Sequence, residues 1–213
     1  MDRTITLFNV LTLAIASAAL LLSGWNLWLS QFRRGRILLT QPTIFFFGWD
    51  DNRGTPTPKV MLRSALFATG SRGQVIENLS VVVRTDDGAF EFPFWGYDDG
   101  KGMVRGSGSG IYVGSTGHLA YHHFNPISDD NVFAYTGKTY EIEVHAKPFG
   151  RAKGIVLGKY KLDLDDSEAA EALAHCEGGV MWNWSPQERR YYLEYSPRPF
   201  EWPALVKKLV GQE

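Results

Sequence analysis

The densest run of chemically versatile side chains in this chain of 213 residues is GSTGHLAYHHFNP, which holds three of its five histidines. His118, His122 and His123, with the nearby Asp129, are of the types that bind zinc. On a β-strand His118 and His122 would share a face, but the two residues would be about 13 Å apart along the strand. His123 would point to the opposite face. A single strand cannot close such a site. A metal-dependent or hydrolytic enzyme that uses residues 118–130 is therefore one hypothesis. The simpler interpretation is that these histidines pack and form hydrogen bonds.

A glycine-rich run, GKGMVRGSGSG, begins at Gly100 and offers Lys101 and Arg105 as charges. Glycine-rich loops can hold phosphate through their backbone N–H groups. The Walker pattern requires Ser or Thr after its Gly-Lys pair, whereas Lys101 is followed by glycine. Ser107 and Ser109 do not stand in the strand-turn-helix context of a hydrolase nucleophile. The run therefore predicts a loop between strands, and the sequence identifies no catalytic residue.

Aromatic side chains flank this run on both sides. Phe94, Trp95 and Tyr97 precede it, Tyr112 follows it, and Arg105 lies between them. Aromatic rings combined with arginine are typical of surfaces that bind protein partners or ligands. These five residues form the predicted binding platform. An outward-facing ligand-binding sandwich is therefore a third hypothesis for the function.

The overall composition narrows the classes of function. The formal net charge is −1, so no basic surplus points to nucleic acid, and we expect no nucleic-acid partner. Hydrophobic residues make up 44% of the chain and charged residues 21%, which is normal for a globular protein with a packed core. Cys176 is the single cysteine, so no internal disulfide supports the fold. No sequence feature indicates a cofactor.

An uncharged apolar stretch near the N-terminus, residues 5–29, predicts a membrane-spanning helix. Such a helix measures roughly 37 Å and can cross a hydrocarbon core of about 30 Å. Trp25 and Trp28 fall where an aromatic belt would meet the membrane interface. A cleaved signal peptide is the alternative, but the apolar stretch continues past its candidate A-x-A sites. We expect an uncleaved signal-anchor in the inner membrane, with residues 5–29 in the lipid bilayer.

Basic residues around this stretch predict its orientation. Arg33, Arg34 and Arg36 follow the helix, whereas Arg3 alone precedes it. The positive-inside rule counts such charges close to the membrane and places the C-terminal side in the cytoplasm. We therefore expect a single-pass protein with a cytoplasmic globular domain. A periplasmic or extracellular domain is the alternative, since one arginine cluster can be overridden.

Small residues recur on neighbouring faces of the predicted anchor. Ala14 and Ala18 are four residues apart, as are Ala19 and Ser23, so each pair shares a helix face. Such pairs let two membrane helices approach closely and pack. A homo-oligomer formed through the anchor is therefore a further expectation.

Beyond the anchor, apolar and polar residues alternate as they do in strands. In AFEFPFWGY, Phe90, Phe92 and Phe94 would share one face, and in YEIEVHA the tyrosine, isoleucine and valine would point inward. Pro42 interrupts the stretch ILLTQPTIFFFGW and marks an edge or a bulge. About eight short strands are recognisable, with almost no helix between them.

One soluble helix is recognisable before the C-terminal tail. Asp165 and Ser167 are candidate caps, residues 168–175 form its body, and the pair Gly178 and Gly179 ends it. Many strands with so few helices favour a mainly β fold, namely one antiparallel immunoglobulin-like β-sandwich, with a barrel as the alternative. The predicted units are a transmembrane anchor, the sandwich domain and a C-terminal tail, at residues 1–35, 36–198 and 199–213.

The tail repeats apolar residues at helical spacing from Trp202 onward, with Lys207 and Lys208 beside them. This pattern predicts a short amphipathic helix on the membrane. Residues expected at the membrane interface are Trp25, Trp28, Arg33, Arg34, Arg36, Trp202, Lys207 and Lys208. Docking of the same helix on the sandwich is the alternative.

The residues from about Arg36 onward, above all the strings GSGIYVGSTGHLAYHHF and ENLSVVVR, resemble uncharacterised bacterial single-pass membrane proteins with an immunoglobulin-like sandwich. The resemblance implies the fold and carries no catalytic residue. Because no catalytic constellation is recognisable, the leading hypothesis is a membrane-tethered interaction or scaffold module. It would bind a protein partner, for example by adding a strand at a sheet edge.

Overall fold

The structure is a computed structural model that describes six stretches of the chain. These are residues 2–32, 35–50, 56–106, 110–126, 133–176 and 179–196. Several residues that were weighed as functional candidates lie outside the described residues, namely Arg33, Arg34, Ser107, Ser109, Asp129, Trp202, Lys207 and Lys208. The helix predicted for residues 199–213 also lies outside them. The predictions made for these positions stay predictions.

The N-terminal helix α1 spans Asp2–Gln31. Its segment Leu7–Gln31 is long and apolar enough to cross a membrane and is not buried against the domain. Uninterrupted apolar residues without proline or charge favour a helix of this kind. Trp25 and Trp28 stack near its end, with ring centroids 5.6 Å apart. The prediction of an N-terminal apolar helix is confirmed.

Twelve strands follow in the described residues, where the sequence predicted about eight. They are β1 Ile37–Leu39, β2 Ile44–Asp50, β3 Thr57–Ala68, β4 Gln74–Thr85, β5 Gly88–Asp98, β6 Met103–Arg105, β7 Ile111–Val113, β8 His118–Phe124, β9 Thr139–Pro148, β10 Ile155–Asp163, β11 Gly179–Ser185 and β12 Arg190–Ser196. Strands β1 and β2 come from one apolar stretch that Pro42 divides, because proline cannot donate to a ladder. Strand β6 lies inside the glycine-rich run, which was predicted to be a loop.

All described strand pairs are antiparallel and belong to one sheet. Its order is β10-β9-β4-β5-β8-β3-β2-β11-β12, and in addition β1 pairs with β3, β6 with β5 and β7 with β4. Burial alternates along β9, where Tyr140, Ile142 and Val144 are buried and Glu141 is exposed. The predictions of a mainly β, antiparallel fold and of the inward face of β9 are confirmed.

Aromatic rings from both neighbouring and distant strands of the sheet build the core. Phe47 of β2 packs edge-on against Tyr140 of β9 and Trp182 of β11, with ring centroids 5.1 and 5.0 Å away. Phe45 of β2 lies 5.2 Å from the ring of Tyr160 in β10. Edge-on pairs of this kind suit the charge distribution of aromatic rings. Because β2 and β9 are not neighbours in the sheet, the sheet curves until these strands face each other across one core.

The short helix α2 spans Ser167–Ala174 and covers one end of the core with Ala169 and Leu173. The indole N–H of Trp49 donates to the carbonyl oxygen of Leu173 at 2.8 Å, which ties α2 to β2. The helix ends before His175. The predicted end at the glycine pair is wrong, because the chain already turns at His175 and strand β11 begins with the second of those glycines.

Asp166 caps α2, so both predicted caps are wrong by one residue. The Oδ1 atom of Asp166 accepts hydrogen bonds from the N–H groups of Glu168 and Ala169, at 2.9 and 3.1 Å. A capping carboxylate reaches the donors two and three residues further on. Asp165 precedes this position, and Ser167 is already the first helical residue.

Candidate functional site

The sheet divides where β4 and β5 separate. Residues 80–85 of β4 pair with residues 88–93 of β5, but beyond Pro93 the edge of β5 that faced β4 pairs with β6 at residues 96–98, and its other edge pairs with β8. At its other end, β4 pairs with β7 through residues 74–76. Residues 77–79 lie between these two ladders, and no described strand pairs with them on the β5 side. Among the described strands, this leaves a short open edge in the middle of the sheet.

A β-bulge at Trp95 decides which side chains of β5 face this opening. Phe94 and Gly96 pair with successive residues of β8, so Trp95 is the additional residue. A bulge of this kind shifts the alternation of side chains by one position. Phe94 and Tyr97 consequently share the inner face, with nearly parallel rings whose centroids are 6.5 Å apart.

A cleft of about 170 Å³ opens between the separated strands. Its lining includes the apolar residues Ile76, Leu79, Phe94, Tyr97 and Ile111 and the polar residues Glu77, Asn78 and Arg105. Polar and apolar atoms therefore share its surface, and the guanidinium of Arg105 lies beside the cleft, over the ring of Trp95 on the other face of β5. No ion pair joins Arg105 to a carboxylate of the described residues. The arrangement suits a segment that combines an apolar side chain with hydrogen-bonding backbone groups.

Two glycines let the chain pass close beside the cleft. A Cβ atom on Gly106 would overlap the ring of Phe94, and one on Gly110 would lie 2.7 Å from the carbonyl oxygen of Ile76. Gly110 also has a φ of 77°, a conformation that residues with side chains rarely adopt. Glycine is therefore required at both positions, because any side chain there would overlap its neighbours.

The five residues of the predicted binding platform do not form one surface. Phe94, Tyr97 and Arg105 line the cleft. The bulge turns Trp95 to the other face of β5, where the Cζ atom of Arg105 lies 5.1 Å from its ring centroid. Tyr112 is exposed and projects away from the cleft. Three of the five residues are thus brought together, and Arg105 connects them to Trp95.

The histidines of β8 lie on both faces of the strand. His118 and His122 share one face with ring centroids 6.1 Å apart, closer than the roughly 13 Å along the strand because the rings lean toward each other. His123 lies on the opposite face, 6.4 Å from the ring of Trp95. The Nε2 atom of His122 is 3.2 Å from the carbonyl oxygen of Ser64. Since a carbonyl oxygen only accepts, Nε2 of His122 carries the proton.

Burial keeps these histidines neutral. It lowers the pKa of His122 to about 4, against the hydrogen bond to Ser64, which raises it. Burial, together with the nearby charge of Lys59, lowers the pKa of His123 to about 3. Burial also lowers the pKa of His118. The Nδ1 atom of His122 and the Nε2 atom of His118 have no hydrogen-bond partner among the described residues.

The described residues bring no further ligand to these histidines. Within the six described stretches, no group of three or more His, Cys, Asp or Glu side chains could hold a metal ion. The ring of Tyr97 occupies the space beside His118, with centroids 4.7 Å apart. Asp129 lies outside the described residues, so the metal site predicted with it stays a prediction.

Sequence reasoning missed one wall of the cleft, which residues 76–79 and Ile111 form. That wall exists only because two strands that pair along half their length then separate, and no local pattern encodes such a separation. Pro93 and Gly96 inside one apparent strand were the available signal, since both residues mark bulges and broken ladders.

Comparisons with protein-family models, with curated proteins and with solved structures found no match to this chain.

Proposed function

We propose that this chain is a membrane-tethered interaction module whose protein partner places a short segment in the cleft between β4 and β5. The observation that carries the proposal is the cleft itself, where the open edge at residues 77–79 meets the rings of Phe94 and Tyr97, with the charge of Arg105 beside it over Trp95. Backbone groups at an open edge give affinity for an extended chain, and side-chain pockets give specificity. An acidic side chain or the C-terminal carboxylate of the partner, lying beside the cleft over Trp95, is the complementary group for Arg105.

The size of the cleft favours a protein segment over a free small molecule. Sites for small molecules commonly enclose about 300–1,000 Å³. The cleft measures about 170 Å³, which suits one side chain with its neighbouring backbone. A ligand-binding sandwich is therefore the weaker alternative for this site.

The architecture that fits this function is an immunoglobulin-like sandwich, as in the bacterial proteins that the sequence resembles. The ring contacts of Phe47 with Tyr140 and of Phe45 with Tyr160 support two sheet halves packed face to face. Hydrogen bonds between β10 and either β1 or β12 in an experimental structure would define a closed barrel and contradict this architecture.

Site-specific photo-crosslinking in native membranes tests the interaction. Val104 lines the cleft and is 45% exposed, whereas Val156 in β10 is 47% exposed and does not line it. We expect a photoreactive residue at position 104 to form a discrete adduct with a partner, and the same residue at position 156 to form none. The substitution Arg105→Glu should remove the adduct. Identical adducts from both positions, or an adduct that survives Arg105→Glu, would contradict the proposal.

The domain is proposed to face the cytoplasm from the inner membrane, on the strength of the arginines that follow α1. Cys176 is exposed and is the single cysteine, so it reports the side of the membrane directly. An impermeant thiol reagent should leave Cys176 unlabelled in intact cells and label it after the cells are opened. Labelling in intact cells would place the domain outside.

Self-association through α1 is a separate part of the proposal. Ala14, Ala18, Ala19 and Ser23 are exposed on the helix, where they could contact a second copy. Cross-linking in membranes should yield a dimer that weakens when Ala18 and Ser23 are both replaced by leucine. A dimer of unchanged strength would leave α1 as a plain anchor.

A further inference from the structure

The end of the domain next to the anchor has a surface that the cleft does not use. Here the β3–β4 turn is held against the end of α1. The backbone N–H of Arg36 donates to Oγ1 of Thr69 at 2.8 Å, and the N–H of Thr69 donates to the carbonyl oxygen of Arg36 at 2.9 Å. The hydroxyl of Ser71 donates to the carbonyl oxygen of Ser30 in the last turn of α1. This end of the domain is therefore fixed beside the point where the apolar helix stops.

Exposed apolar side chains surround this turn. Tyr112 is 63% exposed and Phe149 is 71% exposed, with Val75 between them. Tyr112 pairs with Val75 across the β4–β7 ladder, and the N–H of Phe149 donates to the carbonyl oxygen of Val75 at 2.8 Å. The hydroxyl of Tyr112 donates to the carbonyl oxygen of Arg72 in the turn itself. The three side chains are thus neighbours on one surface.

Three loops at this end carry basic residues and no acidic ones, whereas the β5–β6 loop at the same end carries both Asp99 and Lys101. The β3–β4, β7–β8 and β9–β10 loops contain Arg72, Arg151 and Lys153, but neither Asp nor Glu. All three basic residues are exposed. The turn at the opposite end of β4 carries Asp86 and Asp87 instead. We use the name proximal patch for these three basic residues together with Val75, Tyr112 and Phe149.

We propose that the proximal patch rests on the lipid headgroup region of the bilayer that α1 enters. Phe149 and Tyr112 reach the interface, and the three basic side chains face lipid phosphates. Aromatic rings favour this depth of the membrane, and basic residues are attracted to anionic lipids. The inference rests on α1 spanning the membrane, and it adds a lipid contact to the proposed protein contact. Because the patch adjoins the end of the anchor, the bilayer that α1 enters is the surface next to it.

Contact between the patch and the bilayer would also orient the cleft. Ile76 and Ile111 line the cleft. Ile76 directly follows Val75 in the chain, and Ile111 directly precedes Tyr112. The cleft would therefore lie close to the membrane surface. A partner segment that enters it would come from a protein that is itself at the membrane, within reach of the headgroups.

The test uses the full chain in liposomes of phosphatidylcholine with a minority of phosphatidylglycerol and a headgroup nitroxide as quencher. Cys176→Ser removes the native thiol. A fluorophore is then attached at Ala152→Cys in the β9–β10 loop, or at Asp86→Cys in the turn at the opposite end of β4. Both positions are exposed. We expect several-fold stronger quenching at position 152 than at position 86. Equal quenching at both positions, with the chain still anchored, would overturn the inference.

Variants of the patch separate it from its surroundings. Phe149→Ala combined with Arg151→Gln should reduce the quenching at position 152 to the level at position 86. Lys161→Gln is the matched control, because it removes an exposed positive charge at the other end of the domain. Unchanged quenching in the double variant would overturn the lipid contact. Since the liposomes contain no other protein, this result is independent of the adduct expected at position 104.

Discussion

The two halves of β5 serve different purposes within one strand. Residues 88–93 pair with β4, and Phe92 in this half is fully buried, with its ring 5.2 Å from that of Phe133. Residues 94–98 pair with β8, and the rings of Phe94 and Tyr97 remain half-buried beside the cleft. The bulge at Trp95 separates the halves. A single additional residue can thus direct one half of a strand to the closed core and the other half to the open edge.

Removal of a buried ring tests the first half of β5, residues 88–93. Phe92→Ala should lower the free energy of unfolding by about 3–5 kcal/mol, because it removes a fully buried ring and leaves a cavity. Chemical denaturation followed by tryptophan fluorescence measures the change. Glu91→Ala is the control, since Glu91 is exposed on the other face of β5. If Glu91→Ala costs more stability than Phe92→Ala, the faces of this strand are reversed.

The next effect is the acid sensitivity of the second half, where Tyr97 pairs with the fully buried His122. The pKa of His122 is about 4 in the folded protein and 6.5 in the unfolded chain, so the unfolded chain binds the proton more readily between these values. The stability that neutral His122 contributes is therefore present above about pH 6.5 and is lost as the pH falls toward 4, by roughly 3 kcal/mol.

Denaturation at a series of pH values measures this dependence. We expect His122→Leu to reduce the fall in stability between pH 6.5 and pH 4, with His123, whose pKa is lowered to about 3, causing part of what remains. His175→Leu, which changes an exposed histidine at the end of α2, should leave it as steep as before. A slope that responds equally to both substitutions would assign the acid sensitivity to other groups.

A smaller effect should follow from Tyr97→Ala. Tyr97 is half-buried, so losing its ring should cost about 1–2 kcal/mol, clearly less than the loss of Phe92. The same substitution removes a wall of the cleft and should abolish the partner adduct at position 104. A loss of stability as large as that of Phe92→Ala would remove the distinction between the two halves of β5.

The smallest expected effect on stability belongs to Arg105. Its guanidinium is exposed and contacts the ring of Trp95, so Arg105→Gln should change the free energy of unfolding by less than about 1 kcal/mol. We nevertheless expect it to weaken the adduct at position 104 strongly. A stable variant that keeps the full adduct would show that the charge of Arg105 does not contribute to binding.

Sequence patterns predicted the parts of the fold in which a local rule suffices. Alternation with a period of two identified the buried face of β9 at Tyr140, Ile142 and Val144, and Pro42 marked the break between β1 and β2. The cap of α2 was missed by one position because three of the four residues 163–166 are aspartates, and only the geometry of the turn selects Asp166.

The candidate site was less predictable because it depends on distant pairing. Phe94, Tyr97 and Arg105 were identified from their types, but nothing local places Trp95 on the other face. The bulge depends on the register of β5 with β8, and strands β6 and β7 lie between these two strands in the chain. The separation of β4 from β5 depends on the same pairing, so the open edge at residues 77–79 could not be predicted.

The pairing of β2 with β11 has a consequence for biosynthesis. Phe47 pairs with Val180, so residues from the first and last quarters of the chain form one ladder. Closing so long a loop is slow, and β2 presents three consecutive phenylalanines, Phe45, Phe46 and Phe47, along an edge without its partner until β11 leaves the ribosome. An unpaired apolar edge is a template for aggregation between nascent chains. The time that the ribosome takes from β2 to the release of β11 therefore sets how long each new copy is exposed to that hazard.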